Sequence, residues 1–171
     1  MSDTGRREGT AARTARRRLR LLGGLVKRPV DVWMVTRMIG WRLALPLLKR
    51  RLPLPRLVGL MWEGDRAADL SAERCRRIAE LTTVVFRSDH RDRPGNCLDR
   101  SLVAYRYLSA EGAEPELLVG LRRGDGLLKG HAWVTVKGMP VEESPEPLEH
   151  FSRVVSFHGD GVPSQSGAVG A

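Results

Sequence analysis

The first half of the chain carries a long apolar stretch, VDVWMVTRMIGWRLALPLLKRRL, which begins at Val30. Its length approaches that of a membrane span, but Asp31, Arg37 and Arg42 would each be costly in the middle of a bilayer. The pattern therefore favours a helix packed against protein, with contact to a membrane surface as the alternative. Pro46 is expected to kink or end this helix.

Two further segments predict helices in the first half. LPLPRLVGLMW is typical of a proline-punctuated connection that leads into a short helix. SAERCRRIAELTTVVF opens with a good N-cap at Ser71, and its apolar residues recur at helical spacing. Cys75 belongs to that apolar stripe, so we expect it in the core. The stripe consists of Cys75, Ile78, Leu81, Thr82 and Val85.

A loop turns into an amphipathic helix within the segment PGNCLDRSLVAYRYL. Pro94-Gly95 is a helix-breaking pair, and Asn96 is a good N-cap. Gly112 supplies a C-terminal stop. This frame places Cys97 in the first helical turn. The apolar positions that define the helix are Leu98, Leu102, Tyr105 and Leu108.

The hydrophobic period changes after this helix. ELLVGLR and KGHAWVTV flank a Gly124-Asp125-Gly126 turn, which predicts a β-hairpin. Lys137-Gly138 begins a second turn into MPVEE, and FSRVVSF adds a further strand. Helices followed by an antiparallel sheet predict the α+β class.

Charge divides the chain unevenly. Residues 1–60 hold 15 Lys/Arg and 3 Asp/Glu, net +12, whereas residues 61–171 hold 14 and 17, net −3. We therefore expect a basic helical segment at 1–62, with 1–12 disordered, a core at 63–158 and a flexible tail at 159–171. The basic segment could dock acidic partners, or it could contact nucleic acid or anionic lipid as a binding module. No aromatic residues interleave with the arginine run, so stacking on single-stranded nucleic acid is not supported.

Two cysteines in 171 residues do not form a disulfide framework, and no CxxC pair indicates a metal site. A reducing cytoplasm fits this cysteine usage best. The basic N-terminus is not followed by a clean apolar core and a cleavage site, so no signal peptide is predicted.

Cys97 and His131 are the candidates for chemistry. Free backbone N–H groups and the helix dipole favour a thiolate in a first helical turn, although Asp99 in the same turn opposes it. The alternative for Cys97 is a small apolar residue packed at a helix start. Strand alternation puts His131 and Trp133 on one face, and a helix packed across that face would bring Cys97 against His131.

The segment CLDRSLVAYRYLSAEGAEPELLVGLRRG…GHAWVTVKGMPVEES resembles the transglutaminase-like leader peptidases of lasso peptide biosynthesis, over about residues 94–145. The resemblance implies a papain-like or transglutaminase-like core in which a catalytic helix packs on the sheet. It also implies that Cys97 is the nucleophile and His131 the general base. The third member is usually Asp, and here Glu143 takes the aligned position beside Glu142. The matching features are Cys97-Leu98 with Arg100, Gly112 to Pro115, Gly120 to Arg122, and His131 to Val141.

No glutamine precedes the nucleophile, so the Cys97 backbone N–H is the natural oxyanion donor, and the Asn96 amide is a possible addition. The resemblance implies a cytoplasmic cysteine peptidase that removes the leader from a ribosomally made precursor peptide, with no metal or other cofactor. Its implied partners are the precursor, a separate leader-binding recognition protein and an ATP-dependent macrolactam synthetase. The alternatives are acyl transfer of the transglutaminase or amidase type, and a non-catalytic basic binding module.

Overall fold

Four helices precede a five-stranded antiparallel sheet in this structure, a computed structural model that describes residues 29–64, 70–86, 96–124, 127–143 and 148–164. This arrangement confirms the α+β class. The predictions for residues 1–28, including disorder at 1–12, lie outside the described residues. The helices are α1 Pro29–Arg51, α2 Leu54–Met61, α3 Ala72–Phe86 and α4 Asn96–Ala110; the strands are β1 Pro115–Gly124, β2 Leu127–Val136, β3 Met139–Pro140, β4 Ser152–Phe157 and β5 Pro163–Ser164.

Helix α1 runs through Pro46 to Arg51, so the expectation that Pro46 could end it is wrong. Proline removes one helical hydrogen bond. The neighbouring Leu45 is fully buried, and this packing holds the chain in the helix. Asp31 is also buried, because Arg77 of α3 pairs with it at 2.9 Å (Nη2 to Oδ2).

One face of α1 packs into the core, which confirms the protein-packed helix. That face consists of Met34, Val35, Met38 and Leu45. A second apolar face is exposed, so membrane-surface contact stays a prediction. It consists of Val32, Ile39, Leu43 and Leu47. No helix in the described part of the chain is long and apolar enough to cross a membrane.

Helix α3 has the predicted cap and the predicted stripe. The Arg74 backbone N–H donates to Ser71 Oγ at 3.3 Å, and the five stripe residues are buried. Helix α4 begins at Asn96 and ends before Gly112, which has φ of 92°, a conformation that glycine adopts without strain. The cap at Ser71, the stop at Gly112 and the apolar periodicity of both helices are therefore confirmed, while the cap at Asn96 stays a prediction.

The sheet has the strand order β3-β2-β1-β4-β5. In the β1–β2 hairpin Gly120 lies opposite His131, and Asp125 and Gly126 of the predicted turn fall outside the described residues. Lys137 and Gly138 have φ of 51° and 77°, the left-handed pair that a two-residue hairpin requires between β2 and β3.

The two faces of the sheet pack against different parts of the chain. Leu117 and Val134, which are opposite each other, share the main core with α1 to α4. Leu118 and Trp133 form a smaller cluster with Leu148 on the other face. The expectation that the catalytic helix crosses the face of His131 and Trp133 is therefore wrong, because α4 packs on the opposite face.

The end of the described chain is part of the fold. Gly159–Gly161 form a 3-10 turn, and Pro163–Ser164 pair with β4. The flexible tail that the sequence analysis placed at 159–171 therefore does not start at residue 159. Helices α1 and α2, from the basic segment, lie in the same hydrophobic cluster as α3, α4 and the sheet.

Candidate active site

The first turns of α4 lie along the outer edge of β2. Among the described strands, β3 is the neighbour on that side, and it pairs with Thr135 and Val136 only. The Val141 N–H, just beyond β3, still donates to the Val134 carbonyl oxygen at 3.0 Å. Two residues further along β2, Ser101 Oγ donates to the Ala132 carbonyl oxygen at 2.9 Å. The Ala132 N–H donates to the Cys97 sulfur. Both polar backbone groups of Ala132 thus point away from β1 and toward the helix, which explains how a helix on the other face reaches His131.

Cys97, His131 and Glu143 come together at this edge. The Cys97 sulfur is hydrogen-bonded to the His131 ring, and His131 Nε2 lies 2.8 Å from Glu143 Oε2. The imidazole therefore contacts a thiol and a carboxylate at once. This is the contact pattern that a nucleophile, a base and an orienting group require.

The electrostatics of the pair favour a thiolate and an imidazolium. Burial of Cys97 opposes its ionisation, but hydrogen bonds from His131 and from the Ala132 and Leu98 backbone N–H groups outweigh it, so the pKa of Cys97 lies below its ordinary value. Hydrogen bonds to Cys97 and then to Glu143 raise the pKa of His131 to about 9. Both shifts favour a proton on the imidazole and a negative charge on the sulfur, relative to an isolated cysteine and histidine.

Glu143 and Glu142 occupy different environments. Burial of Glu143 opposes its ionisation, but hydrogen bonds from His131 and Arg100 hold its pKa below the ordinary value. The Glu142 side chain is 0% exposed, and burial raises its pKa to about 7 despite the nearby Arg100. Strand alternation does not decide between the two glutamates, because β3 ends at Pro140. Both glutamates lie in the bend beyond it, and Glu142 is not a solvated strand end.

Lysine from the basic segment reaches the first turn of α4. Lys49 Nζ lies 2.5 Å from Asp99 Oδ1. Asp99 was expected to oppose thiolate formation at Cys97, and this ion pair offsets that effect. The sequence analysis missed Lys49, because 48 residues separate it from Cys97 and no local pattern links the two.

Aromatic rings surround the His131 imidazole. The Trp133 ring stacks with it at 6.0 Å between centroids and 18° between planes, and the Phe151 ring lies at 5.2 Å. Gly120, opposite His131, makes room for the indole, since a Cβ there would approach Trp133 to 2.8 Å. These contacts restrict the ring of His131 to one orientation.

The other sequence candidates lie elsewhere. Cys75 is buried in α3, and burial is the main reason why its thiol pKa is raised. His158 lies 3.5 Å from Glu116 (Nε2 to Oε1), His150 is exposed, and His90 falls outside the described residues. Within the described ranges no cluster of three or more His, Cys, Asp or Glu side chains could hold a metal ion.

Arg100 and Ser101 are further residues of the site that the sequence analysis did not assign a role. Arg100 follows Cys97 by three positions and Ser101 by four, so helical geometry places all three on one side of α4. Arg100 is part of the motif, and its helical spacing from Cys97 is the sequence signal that indicates its place at the site.

The comparisons with known proteins agree with this geometry. A family model described as the transglutaminase-like superfamily matches residues 35–156, which include Cys97, His131 and Glu143. No curated protein and no solved structure matches the chain.

Proposed function

Because the chain belongs to the transglutaminase-like superfamily, we propose that it is a cysteine peptidase that removes the leader from a precursor peptide during lasso peptide maturation. Enzymes of this superfamily generally use a Cys-His-Asp triad in proteolysis or acyl transfer. The observation that carries the proposal is the contact of one imidazole, that of His131, with both Cys97 and Glu143. The resemblance of residues 94–145 to leader peptidases supports the choice of substrate.

In the proposed reaction the Cys97 thiolate attacks the scissile carbonyl carbon, and the carbonyl electron pair moves to oxygen. The backbone N–H of Cys97 at the helix start is the proposed donor to this oxyanion. The intermediate collapses to a thioester as His131 gives its proton to the leaving amine. Water then attacks the thioester while His131 takes a proton, and the acid product and the thiolate are released.

The proposed partners follow from the same resemblance. They are the precursor peptide, a separate leader-binding recognition protein and an ATP-dependent macrolactam synthetase, in the cytoplasm. The net charge of +12 on residues 1–60 supports attraction of acidic surfaces, and this attraction would act over about 10 Å at moderate salt. The chemistry needs no metal or other cofactor, because thiol, imidazole and carboxylate supply the nucleophile and the proton transfers.

Purified chain mixed with precursor peptide and recognition protein should release the leader at a single position, as measured by mass spectrometry. Alkylation by iodoacetamide beforehand should abolish the release. An added primary amine distinguishes hydrolysis from acyl transfer, because acyl transfer would yield an amide of the amine in place of the free acid. Absence of cleavage with recognition protein and synthetase both present would contradict the proposal.

The Glu143→Gln variant should cleave the precursor roughly 10- to 100-fold more slowly, because an amide no longer holds the imidazolium as a carboxylate does. Glu143 contributes to raising the pKa of His131 to about 9, so its loss should lower that pKa. The alkaline limb of the pH–rate profile should therefore move to lower pH. Glu143→Asp should retain more activity than Glu143→Gln.

Glu116→Gln is the matched control, since it also removes a carboxylate that contacts a histidine, at 3.5 Å from His158. It should leave the rate and the alkaline limb unchanged. A Glu143→Gln profile that matches the parent in rate and in pH dependence would leave a Cys97–His131 dyad as the catalytic unit.

A further inference from the structure

A charged cluster lies directly behind the proposed triad. Arg100 forms an ion pair with Glu143 through Nη2, and its Nε lies 3.3 Å from Glu142 Oε1. Ser101 Oγ lies 3.1 Å from Glu142 Oε2. One guanidinium thus faces two carboxylates, and only one of these, Glu143, also contacts His131.

We propose that Arg100 is a positioning residue of the active site: its guanidinium, anchored on the buried carboxyl of Glu142, holds Glu143 against His131. The inference rests on the proposed function, because it gives Glu143 the orienting role. Arg100 interacts with the Cys97 thiol through its charge, whereas it pairs directly with Glu143, so its positioning effect passes through Glu143.

The geometry of arginine suits this task. The planar guanidinium carries several donors in a fixed fork, so one group can face two carboxylates from different edges. A glutamate has one more methylene than the aspartate usual in the family and therefore more rotamers to restrain. Arg100 supplies a second contact for the Glu143 carboxylate and so restricts it to the rotamer that reaches His131.

Glu142 holds the guanidinium from the buried side through charge, because Arg100 Nε and Glu142 Oε1 form an ion pair at 3.3 Å without a hydrogen bond. Its side chain is fully buried, whereas those of Arg100 and Glu143 are 20% and 23% exposed. The Ser101 hydroxyl carries one proton, and two acceptor atoms lie within hydrogen-bonding distance of its oxygen. They are the Ala132 carbonyl oxygen at 2.9 Å and Glu142 Oε2 at 3.1 Å. The cluster therefore joins the strand edge, the bend beyond β3 and helix α4 at one point.

Helix α4 consequently carries both the proposed nucleophile, Cys97, and Arg100, the residue that positions the carboxylate of Glu143. Cys97 and Arg100 are one helical turn apart, so a rigid helix fixes the distance between thiol and guanidinium. His131 then lies between two groups that the same helix controls, Cys97 directly and Glu143 through Arg100.

Arg100→Gln and Arg100→Lys test the inference, with Arg106→Gln as the matched control. Arg106 lies on the same helix and forms an ion pair with Glu63, away from Cys97. The readouts are precursor cleavage and the pH dependence of Cys97 alkylation by iodoacetate, followed by mass spectrometry of the Cys97 peptide. Alkylation needs no precursor, so it reports on the thiol even if the substrate has been misassigned.

Arg100→Gln should lower kcat roughly 10- to 100-fold with little change in KM, because the orientation of the base is lost rather than the binding of the precursor. The alkaline limb of the pH profile of Cys97 alkylation should move to lower pH, as in Glu143→Gln. The reason is that the Glu143 carboxylate is no longer held in contact with the His131 ring, so the pKa of His131 falls. If Arg100 acted only through its charge, removal of that cation would instead move the alkaline limb to higher pH. Arg100→Lys should recover part of the rate. Arg106→Gln should lower the free energy of unfolding and leave the acid and alkaline limbs of the alkylation profile unchanged.

Glu142→Gln provides a second test. Its effect on the rate should grow as the pH rises through about 7, because below that pH the parent Glu142 is itself increasingly neutral. The groups that face Glu142 are Arg100, Ser101, Glu143 and His131, and none of them is changed.

The outcomes separate the two proposals. If the Cys97 thiol of the parent titrates in the ordinary range, the proposed nucleophile is wrong. If the parent thiol is activated but folded Arg100→Gln keeps the parental rate and alkaline limb, Arg100 is not a positioning residue and the triad stands without it. An upward shift of the alkaline limb in Arg100→Gln also overturns the inference.

Discussion

We expect Cys97→Ala to abolish precursor cleavage and Cys97→Ser to reduce it by at least roughly 10³-fold. The thiol pKa is held below its ordinary value by His131 and two backbone N–H groups, and a serine hydroxyl is far too weak an acid to respond in the same way. The Cys97 side chain is only partly buried, so the free energy of unfolding should change by no more than about 1 kcal/mol. Cleavage by mass spectrometry and thermal unfolding by circular dichroism measure the two effects.

Cys75→Ala is the control, because it removes the other thiol in the chain. Cys75 lies on the face of α3 that packs into the hydrophobic core, so its truncation should lower the free energy of unfolding by about 1–2 kcal/mol. Cleavage below the melting temperature should persist. A folded Cys75→Ala protein without activity, together with an active Cys97→Ala protein, would reverse the assignment of the nucleophile.

Local patterns were sufficient for most of the elements. Ser71 and Gly112 were assigned as a cap and a stop from residue type and spacing alone, and Lys137-Gly138 as a turn, and the structure has all three. These features depend on interactions within a few residues of the chain. The start of α4 at Asn96, and hence the place of Cys97 in its first turn, belongs to the same class.

Packing between distant elements could not be predicted in this way. Alternation correctly put His131 and Trp133 on one side of β2, but it does not say which side the helices cover. The helix covers the other side and reaches His131 around the strand edge. That edge is open because β3 is only two residues long, a length that the sequence pattern did not reveal.

The early end of β3 also explains why strand alternation does not separate the two glutamates. Alternation applies only inside a strand, and beyond Pro140 the chain bends so that Glu142 and Glu143 both face Arg100. Two adjacent acids can lie on one side because a guanidinium lies between them and because burial raises the pKa of Glu142 to about 7, so that Glu142 is partly protonated at neutral pH. The adjacent acids and the Arg100 of the motif were visible in the sequence, but their proximity depends on the packing of α4 against β2.

From the sequence, the basic N-terminal segment is predicted to dock acidic partners or to contact nucleic acid or anionic lipid. Lys49, one of its 15 cationic residues, pairs with Asp99 beside the proposed nucleophile. At least part of the segment therefore shapes the charge around the thiol. The ion pair spans α1 and α4, which pack in one hydrophobic cluster, so the helices of this segment help to build the site.

His131→Ala should lower precursor cleavage roughly 10³-fold or more, because in the proposed mechanism His131 is at once the general base, the proton donor to the leaving amine and the partner of the thiolate. The pKa of Cys97 should rise toward its ordinary value, since the hydrogen bond from His131 is the largest of the contributions that lower it. Alkylation of Cys97 should accordingly begin at higher pH than in the parent. The alkaline limb near pH 9 should disappear, because that limb reports loss of the imidazolium proton.

His158→Ala is the control for this result, since His158 also lies beside a glutamate, Glu116, in the same sheet but is exposed and distant from the thiol. It should leave the rate and both limbs of the profile unchanged, and so should alanine at His90 and His150. A folded His131→Ala protein that keeps the parental onset of Cys97 alkylation would show that another group activates the thiol. A comparable loss of cleavage in any of the three other variants, with the fold retained, would mean that the base is not His131 alone.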